Sequence, residues 1–172
     1  MTTPTTDDTI IVDRPDVPAD YGIPASDEGM LPWSHVVERM TNALNYWVGT
    51  TYPDGRPHVS VVWGVWHGDR LYFDGSPETR RGRNIAANPA VAVHLESGTD
   101  VVILEGIAEE VRNPDRELTV QLASAYSRKY AANNYSPEPQ QWDNGGLFVV
   151  TLDKALAWSS FPTDMTRWRF RR

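Results

Sequence analysis

Cysteine is absent from the 172-residue chain, which excludes disulfide bonds, a thiolate nucleophile and cysteine-ligated zinc or iron–sulfur sites. Long apolar runs are also absent, because no stretch approaches the roughly 20 residues that are needed to cross a bilayer. The N-terminal sequence MTTPTTDD lacks the basic and apolar parts of a signal peptide. We therefore expect a cytoplasmic protein without a membrane partner.

Several common catalytic and nucleotide-binding motifs are missing as well. Neither G-x-G-x-x-G nor G-x-x-x-x-G-K-[ST] occurs, and the sequence contains no G-x-S-x-G, H-E-x-x-H or S-x-x-K. The four histidines are scattered without the spacing of metal ligands. The sequence therefore predicts no P-loop or Rossmann site, no catalytic triad and no metal centre.

The negative charge of the chain is concentrated at one end. The formal net charge is −7, and residues 1–32 carry seven acidic side chains against Arg14 alone. The remainder is nearly neutral, so the excess of Lys and Arg that neutralises phosphates in nucleic-acid-binding proteins is missing. Four prolines and no hydrophobic periodicity mark residues 1–30 as an acidic, Pro-rich, solvated arm. Residues 31–172 are predicted to form one domain, without a nucleic-acid partner.

The hydrophobic pattern of the domain predicts a mainly β, α+β fold. Strands are expected at 46–52, 58–66, 70–76, 90–97, 100–111 and 146–158. Helices are expected from about residue 33, within 77–89 and after residue 113. Tight turns and the lack of a βαβ rhythm favour an antiparallel six-stranded barrel with two to three flanking helices.

The segment 76–84, with the sequence SPETRRGRN, is the strongest candidate for chemistry. It lies where a strand ends and a helix begins, and the first turn of a helix presents unpaired N–H groups that favour an anion. Arginine side chains bind phosphate oxygens in bidentate fashion. The alternative is a solvated basic face, whose surface ion pairs contribute only ~0–1 kcal/mol each. From these residues alone, both interpretations remain open.

Four segments in order, ETRRGRNIAANP, DGRPHVSVVW, HLESGTDVVILEGIAEEV and TRWRF, resemble the pyridoxamine 5′-phosphate oxidase-like split β-barrel superfamily of flavin and deazaflavin oxidoreductases. The TRRGRN form and the TRWRF ending are more similar to the branch that uses coenzyme F420. The resemblance covers nearly all of the domain and none of the arm. It implies a split barrel that binds a flavin or deazaflavin.

The resemblance also implies which residues bind the cofactor. The phosphate is expected at Thr79, Arg80 and Arg81, where Arg81 replaces a lysine common in the family, with Ser76 and Asn84 beside them. The cofactor ring is expected to lie along the backbone of the strand after the DGRP turn, at Ser60, Val61, Val62 and Trp63. The side chains of those residues also suit a barrel core. His94, Trp168 and Arg169 are left open between structural roles and the active site.

The implied function is that of an F420-dependent reductase, which transfers hydride to a small conjugated or aromatic acceptor. The alternatives are an FMN-dependent oxidoreductase of the pyridoxamine 5′-phosphate oxidase type and a non-catalytic carrier or sensor of flavin, deazaflavin or haem. Because the cofactor brings its own redox centre, no catalytic side chain is predicted. Members of this superfamily usually pair, so a homodimer is expected.

Overall fold

The computed structural model describes residues 10–171. This part of the chain contains nine strands and three α-helices, in agreement with the predicted mainly β, α+β class. In chain order they are β1 Ile10–Asp13, α1 Trp33–Asn42, β2 Tyr46–Thr51, β3 Pro57–Val62, β4 Gly64–His67, β5 Arg70–Asp74, α2 Arg80–Ala87, β6 Ala90–His94, β7 Val101–Glu110, α3 Arg116–Lys129, β8 Leu147–Trp158 and β9 Thr166–Phe170. No helix within these residues has the length and apolar character needed to cross a membrane.

All strand pairings in the described chain are antiparallel, and they join the strands into one sheet. The main path runs β1-β9-β8-β7-β6-β2-β3, and β5 pairs with both β4 and β8. The long strand β8 therefore has β7 along one edge and carries β5 and β9 on the other, at its two ends. No ladder between residues 10 and 171 joins β3 to β4, so the sheet curls without closing into a barrel.

The antiparallel, mainly β class was predicted correctly, but the count of six strands was too low for the described residues, which contain nine. The predicted strand 58–66 is interrupted at Trp63, which separates β3 from β4. The ladder between β2 and β3 ends at Val62, and Gly64 begins a new ladder with β5. The hydroxyl of Tyr130 accepts a hydrogen bond from Gly64 N at 2.8 Å and donates to Leu44 O at 2.8 Å, which fixes the chain at the break.

The ends of the helices follow from local chemistry. Asp115 caps α3 by accepting from the backbone of Glu117 at 2.8 Å and Leu118 at 3.3 Å. Helix α2 ends at Ala87, two residues before Pro89, whose ring opposes further helical backbone. These signals lie in the sequence, which is why both helices were predicted close to their observed positions.

Two hydrophobic clusters hold the helices on the sheet. The larger one fills the curled sheet and includes Val36 and Met40 of α1 together with Phe73 and Phe148, whose rings stack at 5.3 Å. The smaller cluster joins α3 to β4 and β5, with Tyr126, Tyr130 and Trp142 among its buried side chains. Helix α3 is thereby fixed next to the break between β3 and β4.

Part of the predicted N-terminal arm is built into the sheet, while its first nine residues lie outside the described residues. Strand β1 pairs with β9, and Asp13 accepts hydrogen bonds from Arg167 at 2.7 Å and Arg169 at 2.5 Å. Arg14 donates to the backbone oxygens of Thr163 and Met165, both at 2.9 Å. The TRWRF segment, which was not among the six predicted strands, is therefore the strand that pairs with β1 of the arm.

Gly106 offers a test of how closely β7 and β8 approach at the bulge that follows Glu105. A Cβ atom at Gly106 would lie 2.1 Å from the backbone oxygen of Thr151, whereas one at Gly98 would meet nothing within 4 Å. Because backbone cannot yield as a side chain does, Gly106→Ala should lower the free energy of unfolding by about 1–3 kcal/mol. Gly98→Ala should change it by less than about 0.5 kcal/mol. Equal urea midpoints for the two variants would contradict this packing.

Candidate functional site

The turn before α2 is held by its own hydroxyl groups. Thr79 Oγ1 caps the helix by accepting from Gly82 N at 3.1 Å, and it donates to the backbone oxygen of Ser76 at 2.9 Å. Ser76 Oγ accepts from Glu78 N at 3.1 Å. Both hydroxyls therefore shape the turn, and both residues are exposed at its surface.

The start of α2 is favourable for an anion. The backbone N–H groups of Arg80 and Arg81 have no acceptor among residues 10–171. The guanidinium of Arg80 lies 5.0 Å from the centroid of the Tyr52 ring, and that of Arg56 lies 4.7 Å from the same centroid. Two cations, two free N–H groups and the positive end of the helix dipole meet at this corner.

Arg81 extends inward from the same turn and is half-buried. Its Nη1 donates to Ser60 Oγ of β3 at 3.2 Å, and its guanidinium carbon lies 5.3 Å from the centroid of the Phe73 ring. The backbone of Gly75 makes room for this group, because a Cβ atom there would lie 2.7 Å from Arg81 Nη2. Burial lowers the pKa of Arg81, and the nearby carboxylate of Asp74 partly offsets the shift.

A cleft of about 340 Å³ opens beside this guanidinium. Trp63, at the break between β3 and β4, stacks on Tyr130 with ring centroids 4.8 Å apart and meets Tyr135 at 5.7 Å. The cleft thus has flat aromatic walls, an edge of exposed strand backbone and a cation at one end. It is lined by Val61, Val62, Trp63, Asp74, Arg81 and Tyr135.

Sequence reasoning missed a polar group of this cleft, formed by Asp74, Tyr135 and Gln141. The Tyr135 hydroxyl donates a hydrogen bond to Asp74 Oδ2, and Gln141 Nε2 donates to the same oxygen at 3.0 Å. Burial raises the pKa of Asp74, and burial together with this carboxylate raises the pKa of Tyr135 to about 12. Asp74 could have been found as the polar residue that ends β5 before the candidate segment. Tyr135 and Gln141 lie in the loop after α3, where no motif marks them.

Of the nine predicted site residues, five meet at the cleft and four do not. Arg81 contacts Ser60, and Val61, Val62 and Trp63 line the cleft with it. Ser76, Thr79 and Arg80 lie at the adjacent surface of the helix start. Asn84 is fully buried and donates to Thr50 Oγ1 at 3.1 Å, so it fastens α2 to β2 from inside the protein.

Arg83 of the segment 76–84 and the three residues left open by the sequence lie away from the cleft. Arg83 turns back to donate to the backbone oxygen of Glu78 at 2.5 Å. Trp168 is 1% exposed in the large core cluster, and Arg169 pairs with Asp13. The His94 ring is parallel to that of Trp47, with centroids 6.2 Å apart. Their observed contacts are structural.

The donor set suits a phosphate ester with an aromatic ring beside it. Arg81 Nε is buried and has no hydrogen-bond partner among residues 10–171. Buried guanidinium groups are normally satisfied on all sides, because an unpaired buried donor costs about 1–3 kcal/mol. The open N–H groups of the α2 start add further donors. A phosphate at this corner would satisfy these groups, and the aromatic cleft would receive the attached ring.

The sequence model of the pyridoxamine 5′-phosphate oxidase family matches residues 35–159, which include the cleft and the helix start. The chain belongs to the pyridoxamine 5′-phosphate oxidase family. This match agrees with the resemblance seen in the segments of the sequence. No match was found among the curated proteins.

Solved structures of the pyridoxamine 5′-phosphate oxidase fold are similar to this chain. A conserved hypothetical protein of Mycobacterium tuberculosis has a TM-score of 0.64 and 19% identity, over 75% of this chain and 85% of that chain. A haem-binding protein of Mycobacterium smegmatis has a TM-score of 0.57 and 20% identity, over 77% of this chain and 54% of that chain. A protein described as an F420 reductase has a TM-score of 0.52 and 26% identity, over 69% of this chain and 94% of that chain. The two mycobacterial structures establish a shared fold alone.

The raised pKa of Asp74 predicts how its replacement affects stability at different pH. Because the folded protein holds this proton more tightly than the unfolded chain, ionised Asp74 costs stability as pH rises above its ordinary value of 3.8. Asp74→Asn should therefore gain stability relative to the native protein between about pH 4 and neutral pH. Unfolding free energies from urea titrations across this range measure the difference.

Asp100 supplies a control of opposite sign. Burial alone would raise its pKa, but hydrogen bonds from Arg39 and Ser159 leave the pKa below its ordinary value. Asp100→Asn should therefore lose stability relative to the native protein as pH rises. Parallel pH profiles for the two variants would show that Asp74 is not destabilised by its burial.

Proposed function

We propose that this member of the pyridoxamine 5′-phosphate oxidase family is an F420-dependent oxidoreductase that reduces a small conjugated or aromatic acceptor. The observation that carries the proposal is the half-buried Arg81 guanidinium, which bonds to Ser60 of β3 and has an unpartnered Nε. The aromatic cleft opens directly beside it. A phosphate-bearing, ring-containing cofactor matches both features.

In this proposal the protein binds and orients the cofactor rather than supplying a nucleophile. Arg80, Arg81 and the open N–H groups at the α2 start hold the phosphate, with Ser76 and Thr79 shaping the turn. The ring lies along residues 60–63, where the strand backbone ends its ladder. When bound, the deazaflavin supplies a hydride-transferring redox centre. Trp63 and Tyr135 form the walls that exclude water and accept a flat substrate.

The charge near the helix start favours F420 over FMN. Arg56 and Arg80 both lie over the Tyr52 ring, beyond the Arg81 anchor. The acidic lactyl-glutamate tail of F420 would meet this pair of cations, whereas FMN carries no such tail. The likeness to a protein described as an F420 reductase supports the same choice. FMN is the second candidate, because the Arg81 anchor suits the phosphate of either cofactor.

The carrier alternative receives less support from the cleft. A haem carrier would need an axial ligand, and histidine, cysteine, methionine and tyrosine are the side chains that serve as one. Of these, only Tyr135 lines the cleft in the described chain, and its hydroxyl is already bonded to Asp74. The polar group of Asp74 and Tyr135 instead gives the cleft a hydroxyl beside the space for substrate.

We also propose that two copies pair through the edge strand β3. Val59 and Val61 are 54% and 48% exposed on this strand, which ends the main path of the sheet. Unpaired strand edges with exposed apolar side chains favour association. A dimer through β3 would bring the partner copy close to the cleft.

Replacing Arg81 tests the cofactor site. Arg81→Ala should weaken binding of F420 or FMN roughly ten- to hundredfold, since one charge-assisted contact contributes about 1.5–3 kcal/mol. The matched control is Arg83→Ala, which removes an arginine of the same helix that turns back to Glu78. Its dissociation constant should stay within about threefold of the native value. Calorimetric titration with each cofactor measures these changes.

Two outcomes would contradict the proposal in different ways. If neither cofactor binds the native protein, the proposed function is wrong. If Arg83→Ala weakens binding as much as Arg81→Ala, the phosphate lies on the outer face of α2. Oxidation of reduced F420 by a panel of quinones and enones then separates an enzyme from a carrier, because a carrier would reduce none of these acceptors.

The dimer is tested by placing a charge on β3. Val59→Asp should convert a dimer into a monomer, since a buried carboxylate without a partner costs several kcal/mol at an apolar interface. Val120→Asp is the control, because Val120 is 48% exposed on α3 rather than on the sheet edge. Light scattering after size-exclusion chromatography gives both masses. If the native protein has a monomeric mass, the proposed dimer is wrong, whereas the proposed cofactor site does not depend on this result.

A further inference from the structure

Lys129, the last residue of α3, has a half-buried ammonium group. Its Nζ donates to Tyr46 Oη at 2.6 Å and to the backbone oxygen of Gly64 at 2.9 Å. An ammonium group has three N–H donors, so one has no acceptor among the residues that the structure describes. The group therefore has an unused donor.

The positive charge of Lys129 has no carboxylate partner in the described chain, although its Nζ lies 4.7 Å and 5.6 Å from the ring centroids of Tyr46 and Tyr130. None of the ion pairs found between residues 10 and 171 includes Lys129 or its neighbour Arg128. Charges that leave water are normally paired, because desolvation destabilises the charged form. Burial accordingly lowers the pKa of Lys129 to about 8. An anion next to the Lys129 ammonium would stabilise its charged form and raise its pKa again.

A cavity of about 480 Å³ adjoins both cations. We call it the Lys129 pocket, and its lining consists of the cations Lys129 and Arg128, the apolar residues Leu44, Val65, Trp66 and Ala125, and the polar residues Thr41, Asn42 and His67. The indole nitrogen of Trp66 is buried and has no hydrogen-bond partner within the described chain. The volume falls in the range of small-molecule sites, and the lining combines two cations with apolar surface.

We propose that the Lys129 pocket binds a small organic carboxylate. The carboxylate lies between the Lys129 ammonium and the Arg128 guanidinium, and the apolar part of the ligand packs on Leu44, Val65 and Trp66. Inorganic phosphate would satisfy the charges but would leave the apolar wall in contact with water. A carboxylate with an aromatic or branched aliphatic body matches both halves of the pocket.

This pocket is separate from the proposed cofactor site. It shares no lining residue with the cleft beside Arg81. The two sites lie on either side of the break between β3 and β4, where Tyr130 stacks on Trp63 and Lys129 binds Gly64. The inference therefore does not rest on the proposed function, and either can fail without the other.

A purely structural role for Lys129 is the alternative that the experiment must separate. The contacts with Tyr46 and Gly64 alone would stabilise the break between the strands. The titratable and charged groups that face Lys129 or the pocket are the hydroxyls of Tyr46 and Tyr130, the Arg128 guanidinium and the His67 ring. Burial raises the pKa of both tyrosines, to about 12 for Tyr130, so they stay neutral where Lys129 titrates.

The lysine content of the chain allows a selective measurement. The only two lysines are Lys129 and Lys154, and Lys154 pairs with Glu105 at 2.7 Å. Labelling with ¹³C,¹⁵N-lysine keeps every N–H donor and gives each lysine its own NMR signals, which Lys154→Arg assigns. Benzoate is the probe, and benzamide is its uncharged control of the same shape.

Benzoate should move the Lys129 signal and raise its apparent pKa by about one, as an opposite charge within about 4–6 Å does. The Lys154 signal should stay in place, and benzamide should not raise either pKa. His67→Gln should leave the benzoate effect on Lys129 unchanged. A Lys129 signal that stays in place throughout the titration, or one that moves in parallel with Lys154, would overturn the proposal.

Calorimetry tests whether Arg128 supplies the second charged donor of the pocket. Arg128→Ala should weaken benzoate binding at least about fivefold, because it removes one of the two charged donors. Arg116→Ala, on the same helix and paired with Asp143 at 3.8 Å, is the matched control and should bind as the native protein does. Equal affinities for all three proteins would refute the site.

Discussion

The half-buried guanidinium of Arg81 is the interaction on which the site depends. Removing a cation from water costs several kcal/mol, and the single hydrogen bond to Ser60 does not offset that cost. Several local features accommodate this cation: Gly75 has no side chain, Phe73 presents its ring and Asp74 lies nearby. The turn before α2 and the ends of β3 and β5 are arranged around one charge. If this region contributed only to folding stability, apolar side chains would serve better than a half-buried cation.

The break at Trp63 is the second constraint, and it links the cleft to α3. The Gly64 backbone is held by Tyr130 and Lys129, whose side chains come from the end of that helix. A side chain at position 64 would lie 2.7 Å from the backbone oxygen of Tyr72, so β4 and β5 approach closely only with glycine there. The end of α3 therefore sets where the β3 backbone leaves its ladder.

The sequence predicted what depends on local chemistry. Helix α2 and the adjacent strands are encoded within a few residues. The cap at Thr79 was not predicted, whereas Ser60 and Arg81, both expected from the family pattern to bind the cofactor, contact each other. The break at Trp63 could not be predicted, because HVSVVWGVW alternates as one strand and the interruption depends on Tyr130, distant in sequence. Tyr135 was missed for the same reason. Asn84 was expected beside the phosphate, but the helical period turns it inward onto Thr50.

Charge pairing separates the structural cations of this chain from the candidate functional ones. Arg39, Arg167 and Arg169 each bond to a carboxylate within 2.7 Å and fasten one segment to another. Arg81 and Lys129 are half-buried, yet neither belongs to an ion pair among residues 10–171, although the chain carries a net charge of −7. Acidic side chains outnumber basic ones in the chain, but none in the described part is found in an ion pair with Arg81 or Lys129. The carboxylate of Asp74 lies near Arg81 without forming an ion pair with it, and no carboxylate pairs with Lys129 in the described chain. Half-buried cations without an ion pair are unfavourable for folding, which supports the two proposals of external anions at these cavities.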